Sequence, residues 1–172
     1  MLDLNAGPPI LCAIALGSNL GDSRTILHQA LRCLEMTPGL ALQACSPWYR
    51  TVALGPPQPD YLNGCALVQS QLAPLALLEE LLAIEQQFGR VRRQRWGPRT
   101  LDLDLLLVGD QILNLPQLQV PHPRMGDRPF VLVPLADIAP DWRDPHTGCT
   151  IRQLLHGLDC SGVYLLASEV CS

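Results

Sequence analysis

R-W-G-P-R-T-L-D-L-D-L-L occupies residues 95–106 of this chain, and its second half decides how the fold is read. From Leu101 to Val108 the sequence is apolar except at Asp102 and Asp104. Residues i and i+2 of a β-strand point to the same face, so both carboxylates project one way and Leu101, Leu103 and Leu105 the other. Two such Cα atoms lie roughly 6–7 Å apart, close enough for the carboxylates to share a pair of divalent cations. Arg90, Arg92, Arg93, Arg95 and Arg99 precede the strand, in a segment with no apolar period that reads as a loop. Carboxylates beside guanidinium groups suit a polyanion such as a nucleoside triphosphate, gripped by metal on one side and arginine on the other. The spacing of the aspartates alone is more often that of a strand with a solvated polar edge; the arginines favour the polyanion.

Working outward, residues 74–88 predict a helix with Leu75, Leu78, Leu81, Leu82 and Glu85 on adjacent turns and Gly89 as its stop. Residues 61–72 alternate as a strand, and residues 40–50 read as another, with Pro47 forcing an edge or a bulge. Asp22 or Ser23 caps a helix with Ile26, Leu27, Ala30, Leu31 and Leu34 on its apolar face, stopped by Pro38-Gly39. Residues 10–16 form a buried first strand. The order β-α-β-β-α-β defines an α+β, ferredoxin-like core: an antiparallel sheet backed by helices. Beyond it come a Gly109-Asp110 turn, a short return strand near Ile112, and helices at 129–139 and 150–158. The expectation is one domain over 1–172, with its core at about 10–158, a short N-terminal extension and a C-terminal tail. Residues 51–60 and 89–98 are irregular stretches of the length that lids and binding loops have.

At 172 residues, 48 % hydrophobic and 16 % charged, the chain is long and apolar enough to bury a full core. All twelve basic residues are arginine. Without lysine there is no Schiff base and no Walker-type phosphate loop, so phosphate must be held by arginine, metal, histidine or backbone amides. Seven scattered cysteines with no C-x-x-C pair fit neither a zinc site nor a disulfide framework, and point to a reducing compartment. The apolar run at 10–16 is too short to span a bilayer and follows no positive charge. A net charge of −4 gives no global attraction to nucleic acid or an anionic membrane. A cytoplasmic monomer that binds neither is expected.

Five segments together resemble the 6-hydroxymethyl-7,8-dihydropterin pyrophosphokinase family of folate biosynthesis. They are A-L-G-S-N-L-G (15–21), Y-R-T-V-A-L-G-P (49–56), P-D-Y-L-N (59–63), the aspartate segment, and V-P-H-P-R-M-G-D-R-P-F (120–130). The resemblance implies transfer of pyrophosphate from ATP to the hydroxymethyl group of a reduced pterin, with release of AMP. It further implies two Mg²⁺ ions on Asp102 and Asp104, and turnover assisted by Arg90, Arg99 and Asp104. Glu85, Arg92, Arg95, Trp96, Arg99, His122 and Arg128 resemble nucleotide contacts. On the pterin side, Tyr61 and Phe130 resemble a stacking pair and Asn63 the partner of the ring's amide edge. Thr51 and Leu54 match backbone contacts from the first loop, and Trp96 a lid over both substrates.

The chain departs from the family pattern at three positions. Arg93 replaces a frequent lysine, Gln117 stands where an arginine often contacts phosphate, and Pro123 replaces an aromatic nucleotide contact. The last two predict weaker ATP binding. Two other classes remain in view. A nucleotidyltransferase also combines a Gly-Ser turn with D-x-D, but places the two a short helix apart, whereas here more than eighty residues separate Gly17-Ser18 from Asp102. An RNA-binding module using the arginines would have to tolerate two adjacent carboxylates.

Overall fold

The structure, a computed structural model, describes residues 7–53, 55–89 and 97–166. Strands β1 (Ile10–Ser18), β2 (Leu40–Cys45), β3 (Tyr49–Thr51), β4 (Tyr61–Ser70) and β5 (Asp102–Val108) carry the core with helices α1 (Ser23–Met36) and α2 (Pro74–Gln87). Then follow β6 (Leu113–Asn114), β7 (Gln119–Val120), α3 (Pro129–Ile138), α4 (Ile151–His156) and β8 (Val163–Leu165). The main sheet runs β5-β1-β4-β3-β8, with β2 also on β4, and its pairings are antiparallel. This is the expected ferredoxin-like arrangement, extended at one edge.

Asp22 caps α1 by accepting from the Thr25 amide, and Leu27, Ala30, Leu31 and Leu34 are buried beneath it, as the spacing predicts. The face of α2 differs from expectation. Leu77, Leu81, Ile84 and Glu85 are buried, whereas Leu75 and Leu82 are each 38 % exposed. With apolar residues on nearly every turn position, period alone leaves the face open, and packing against β5 selects it. The strand expected over 40–50 is two strands. Pro47 has no N–H for the ladder, and Ser46 instead pairs with Cys65 through its backbone N–H and its hydroxyl. Trp48 then turns into the core over Gly64, where any Cβ would lie 2.5 Å from the indole ring. The return strand also differs: β6 pairs with β7, not with β5, and Ile112 is exposed. Past residue 158, where the core was expected to end, β8 adds a further strand to the sheet beside β3.

One face of the sheet (Ile14, Leu16, Ala66, Val68, Leu103, Leu105) packs in a single core with Leu27, Leu34, Leu77 and Leu81 of α1 and α2. On the other face, Ala13, Cys65, Leu67, Leu106 and Leu107 pack with residues of α3 and α4. That second cover stops short of the β5 residues 102–104, and the uncovered end of the sheet becomes a cleft.

Candidate active site

The cleft follows from strand register. Gly17 of β1 sits between Asp102 of β5 and Asn63 of β4, and Ala15 sits between Asp104 and Cys65. Small residues on the central strand, flanked by larger polar ones, leave an opening of about 350 Å³ over the sheet. Gly17 is required by this arrangement, since a Cβ there would come within 2.9 Å of Asn63 Oδ1. Thr51, Val52, Ala53, Tyr61, Arg99, His122, Arg124, Arg128 and Phe130 complete its lining.

Charges balance at the floor. Arg99 Nη1 is 3.2 Å from Asp102 Oδ1, and Arg128 Nη1 is 4.0 Å from Asp104 Oδ2. The Arg128 guanidinium also lies over the Phe130 ring, 5.6 Å from its centroid. Between these groups, His122 Nδ1 accepts the Arg124 amide at 3.2 Å. Burial first, then the positive charge of Arg128, hold its pKa down to about 4 against the opposing pull of Asp102. The imidazole is therefore neutral near pH 7, and the occupied Nδ1 leaves its proton on Nε2 as a donor. Asp104 and His122 also border a second hollow of about 250 Å³, walled by Leu78, Leu105, Gln117, Gln119 and Pro123.

Among the described residues no group of three or more His, Cys, Asp or Glu side chains could hold a metal ion. Two carboxylates on an open floor nonetheless fit Mg²⁺, which takes one or two protein carboxylates and completes its octahedron with water and substrate phosphate. On the opposite wall, Asn63 Nδ2 donates to Thr51 Oγ1 at 2.6 Å, which fixes the carboxamide facing Gly17. Buried Asn19 ties the mouth together. Its Oδ1 accepts the Arg99 amide, and its Nδ2 donates to Pro59 O and Gln58 Oε1, each at 2.9 Å. Tyr61 Oη adds a bond to Gly97 O at 3.3 Å.

Residues 13–140 match the model of the 7,8-dihydro-6-hydroxymethylpterin-pyrophosphokinase (HPPK) family. The chain belongs to that family. A Synechocystis relative, named 2-amino-4-hydroxy-6-hydroxymethyldihydropteridine pyrophosphokinase, is 53 % identical over 154 residues, covering 90 % of this chain and 79 % of its own. A Pseudomonas aeruginosa protein of the same name is 51 % identical, covering 87 % and 93 %. The chain is accordingly a diphosphotransferase of folate biosynthesis. Solved Plasmodium falciparum HPPK-DHPS structures share the fold at 16 % identity, one with a TM-score of 0.70 over 86 % of this chain. The chain spans less than half of that solved chain, 43 % of it.

Of the residues singled out in the sequence, the cleft gathers Thr51, Tyr61, Asn63, Arg99, Asp102, Asp104, His122, Arg128 and Phe130. Leu54, Arg90, Arg92, Arg95 and Trp96 lie outside the described residues. Glu85, expected as a nucleotide contact, sits at the end of α2 behind β5. It is 2 % exposed, borders neither hollow, and accepts the Leu103 amide at 3.3 Å from beneath β5. The helical spacing that put Glu85 in register with the leucines was the sign of burial. His122, expected in exposed extended chain, is half-buried, because β7 and the 3₁₀ turn at Met125–Asp127 fold that segment against β5. Sequence reasoning missed Gly17, Ala15, Val52, Ala53 and Arg124 as cleft residues, and Asn19 as its anchor. A glycine near a strand end is the only local sign of Gly17's close approach.

Proposed function

We propose that the diphosphoryl donor is ATP, that Mg²⁺ held by Asp102 and Asp104 accompanies it, and that the pterin lies along the Thr51–Asn63 wall. The carrying observation is the cross-sheet row Asp102–Gly17–Asn63, which sets a carboxylate pair and a carboxamide on opposite sides of one empty centre. A flat heteroaromatic ring between Tyr61 and Phe130, its amide edge on Asn63, would direct its hydroxymethyl group toward the aspartates. The second hollow suits the nucleoside, because Asp104 and His122 border both spaces and a triphosphate could cross there.

Bound Mg²⁺ supplies Lewis-acid polarisation of the phosphate oxygens. Arg99 and Arg128 are already poised at the aspartates, and would turn to the equatorial oxygens of the transferring group as charge grows there. His122, neutral with its proton on Nε2, would donate to phosphate without adding a full charge. Asp104 is the residue closest to the role of orienting the attacking hydroxyl. Arg90, Arg92, Arg95 and Trp96 act, on this reading, as the loop that closes over both substrates, with Leu54 on the pterin side. Residues 10–166 work as one pyrophosphokinase domain, monomeric and cytoplasmic. The described helices include none long and apolar enough to cross a membrane.

The test is incubation with ATP, Mg²⁺ and 6-hydroxymethyl-7,8-dihydropterin, following nucleotide and pterin products. Pterin-dependent AMP with one equivalent of pterin diphosphate is expected. Release of pyrophosphate instead would replace this reading with nucleotidyl transfer.

A further inference from the structure

We infer that the C-terminal strand β8 is a positioning element for the pterin side of the site; this rests on the pterin wall proposed above. Strand β3 has only three residues, and Thr51, its last, leads directly into Val52 and Ala53 of the cleft wall. A strand that short with one neighbour frays readily, because few hydrogen bonds hold it. Here its inner edge lies on β4 and its outer edge on β8, where Thr51 faces Val163 and Tyr49 faces Leu165. Beyond the ladder, the Leu166 amide donates to Trp48 O at 3.1 Å.

A second tie lies on the same pairing. Arg50 stands opposite Tyr164, its guanidinium carbon 5.0 Å from the ring centroid. The same guanidinium reaches Asp60 Oδ2 at 3.1 Å. Arg50 lies just before the first loop and Asp60 just before β4, so one side chain holds both ends of the loop, and Tyr164 holds that side chain. At these exposures the Arg50–Asp60 pair contributes little by itself; its value is geometric. β8 lies beyond the residues matched by the family model, which end at 140. It also sits at the opposite edge of the sheet from β5, so it can act on the pterin wall without touching the aspartates or the second hollow.

The test uses the full chain with Tyr164→Ala and Tyr164→Phe. Calorimetric titration with 6-hydroxymethyl-7,8-dihydropterin should show Tyr164→Ala binding about two- to fivefold more weakly, the range an exposed cation–π contact gives. Mg-ATP affinity should be unchanged, and Phe, which keeps the ring, should restore the parent value. Amide exchange at Thr51 and Val52 should quicken in Tyr164→Ala with no ligand present. Equal weakening toward both substrates, failure of Phe to restore binding, or unchanged exchange with unchanged pterin affinity would overturn the role of β8. A parent protein that binds no pterin would overturn the functional reading instead, and the exchange measurement would still judge the clamp.

Discussion

Replacing Asn19 with alanine tests whether the mouth of the cleft is built as described. The side chain is 3 % exposed and makes three bonds: one from the Arg99 amide, one to Pro59 O and one to Gln58 Oε1. Each such bond contributes about 1 kcal/mol net, and a shielded amide left without its acceptor adds a desolvation penalty. Asn19→Ala should therefore destabilise the protein by about 2–4 kcal/mol, a large share of the 5–15 kcal/mol typical of a domain. Urea unfolding should show the midpoint falling with an unchanged slope, since the same surface is exposed. Asn19→Asp separates the contributions. It keeps an oxygen for the Arg99 amide but has no donor for Pro59 O, and should fall between the parent and alanine. Because the lost bonds join the first loop to the residues before β5, kcat/KM for the pterin should drop about tenfold in the alanine variant, equivalent to 1.36 kcal/mol. A stability loss below about 0.5 kcal/mol, the range of ordinary surface changes, would refute the anchor.

Four further outcomes are expected. Gly17→Ala would drive Asn63 out of position, since its Cβ would meet Oδ1 at 2.9 Å; calorimetry should show weakened pterin binding with ATP binding retained. Asp102→Ala and Asp104→Ala should each lower turnover by at least about a hundredfold while far-UV circular dichroism stays that of the parent; retained activity would place the metals elsewhere. His122 titrates near 4 when folded and near 6.5 when unfolded. Between those values only the unfolded chain takes up the proton, so its contribution is complete above pH 6.5 and is lost as pH falls toward 4. Discounted for partial exposure, that is about 1–2 kcal/mol, and unfolding of His122→Gln should lack this part of the acid dependence. Gln117→Arg should tighten ATP binding in a titration, because Gln117 walls the second hollow beside Asp104 and His122; no gain would mean the side chain does not meet phosphate.

Much of the core could be read from local pattern. Asp22 and the Leu27–Leu34 stripe define α1, and the gap of two between Asp102 and Asp104 puts both on one face of β5. Errors fell where local pattern is degenerate. The leucine-rich α2 offers more than one apolar face, and only contact with β5 chose the one bearing Leu77 and Ile84. Glu85 lies buried, with one carboxylate oxygen accepting the Leu103 amide. The break at Ser46–Pro47–Trp48 depends on Gly64, sixteen residues beyond Trp48, making room for an indole.

The sequence by itself determined the β-α-β-β-α-β outline of the core, the carboxylate pair and its arginines, and the family, because these are written in short-range spacing and contiguous motifs. Only the tertiary structure decided that Gly17 separates Asp102 from Asn63, that Asn19 ties two loops together, and that β8 supports the strand leading to Thr51. Those relations join residues 39 to more than 110 positions apart. They arise from strand register and from which end of the sheet the helices leave uncovered, and no local window of sequence encodes either.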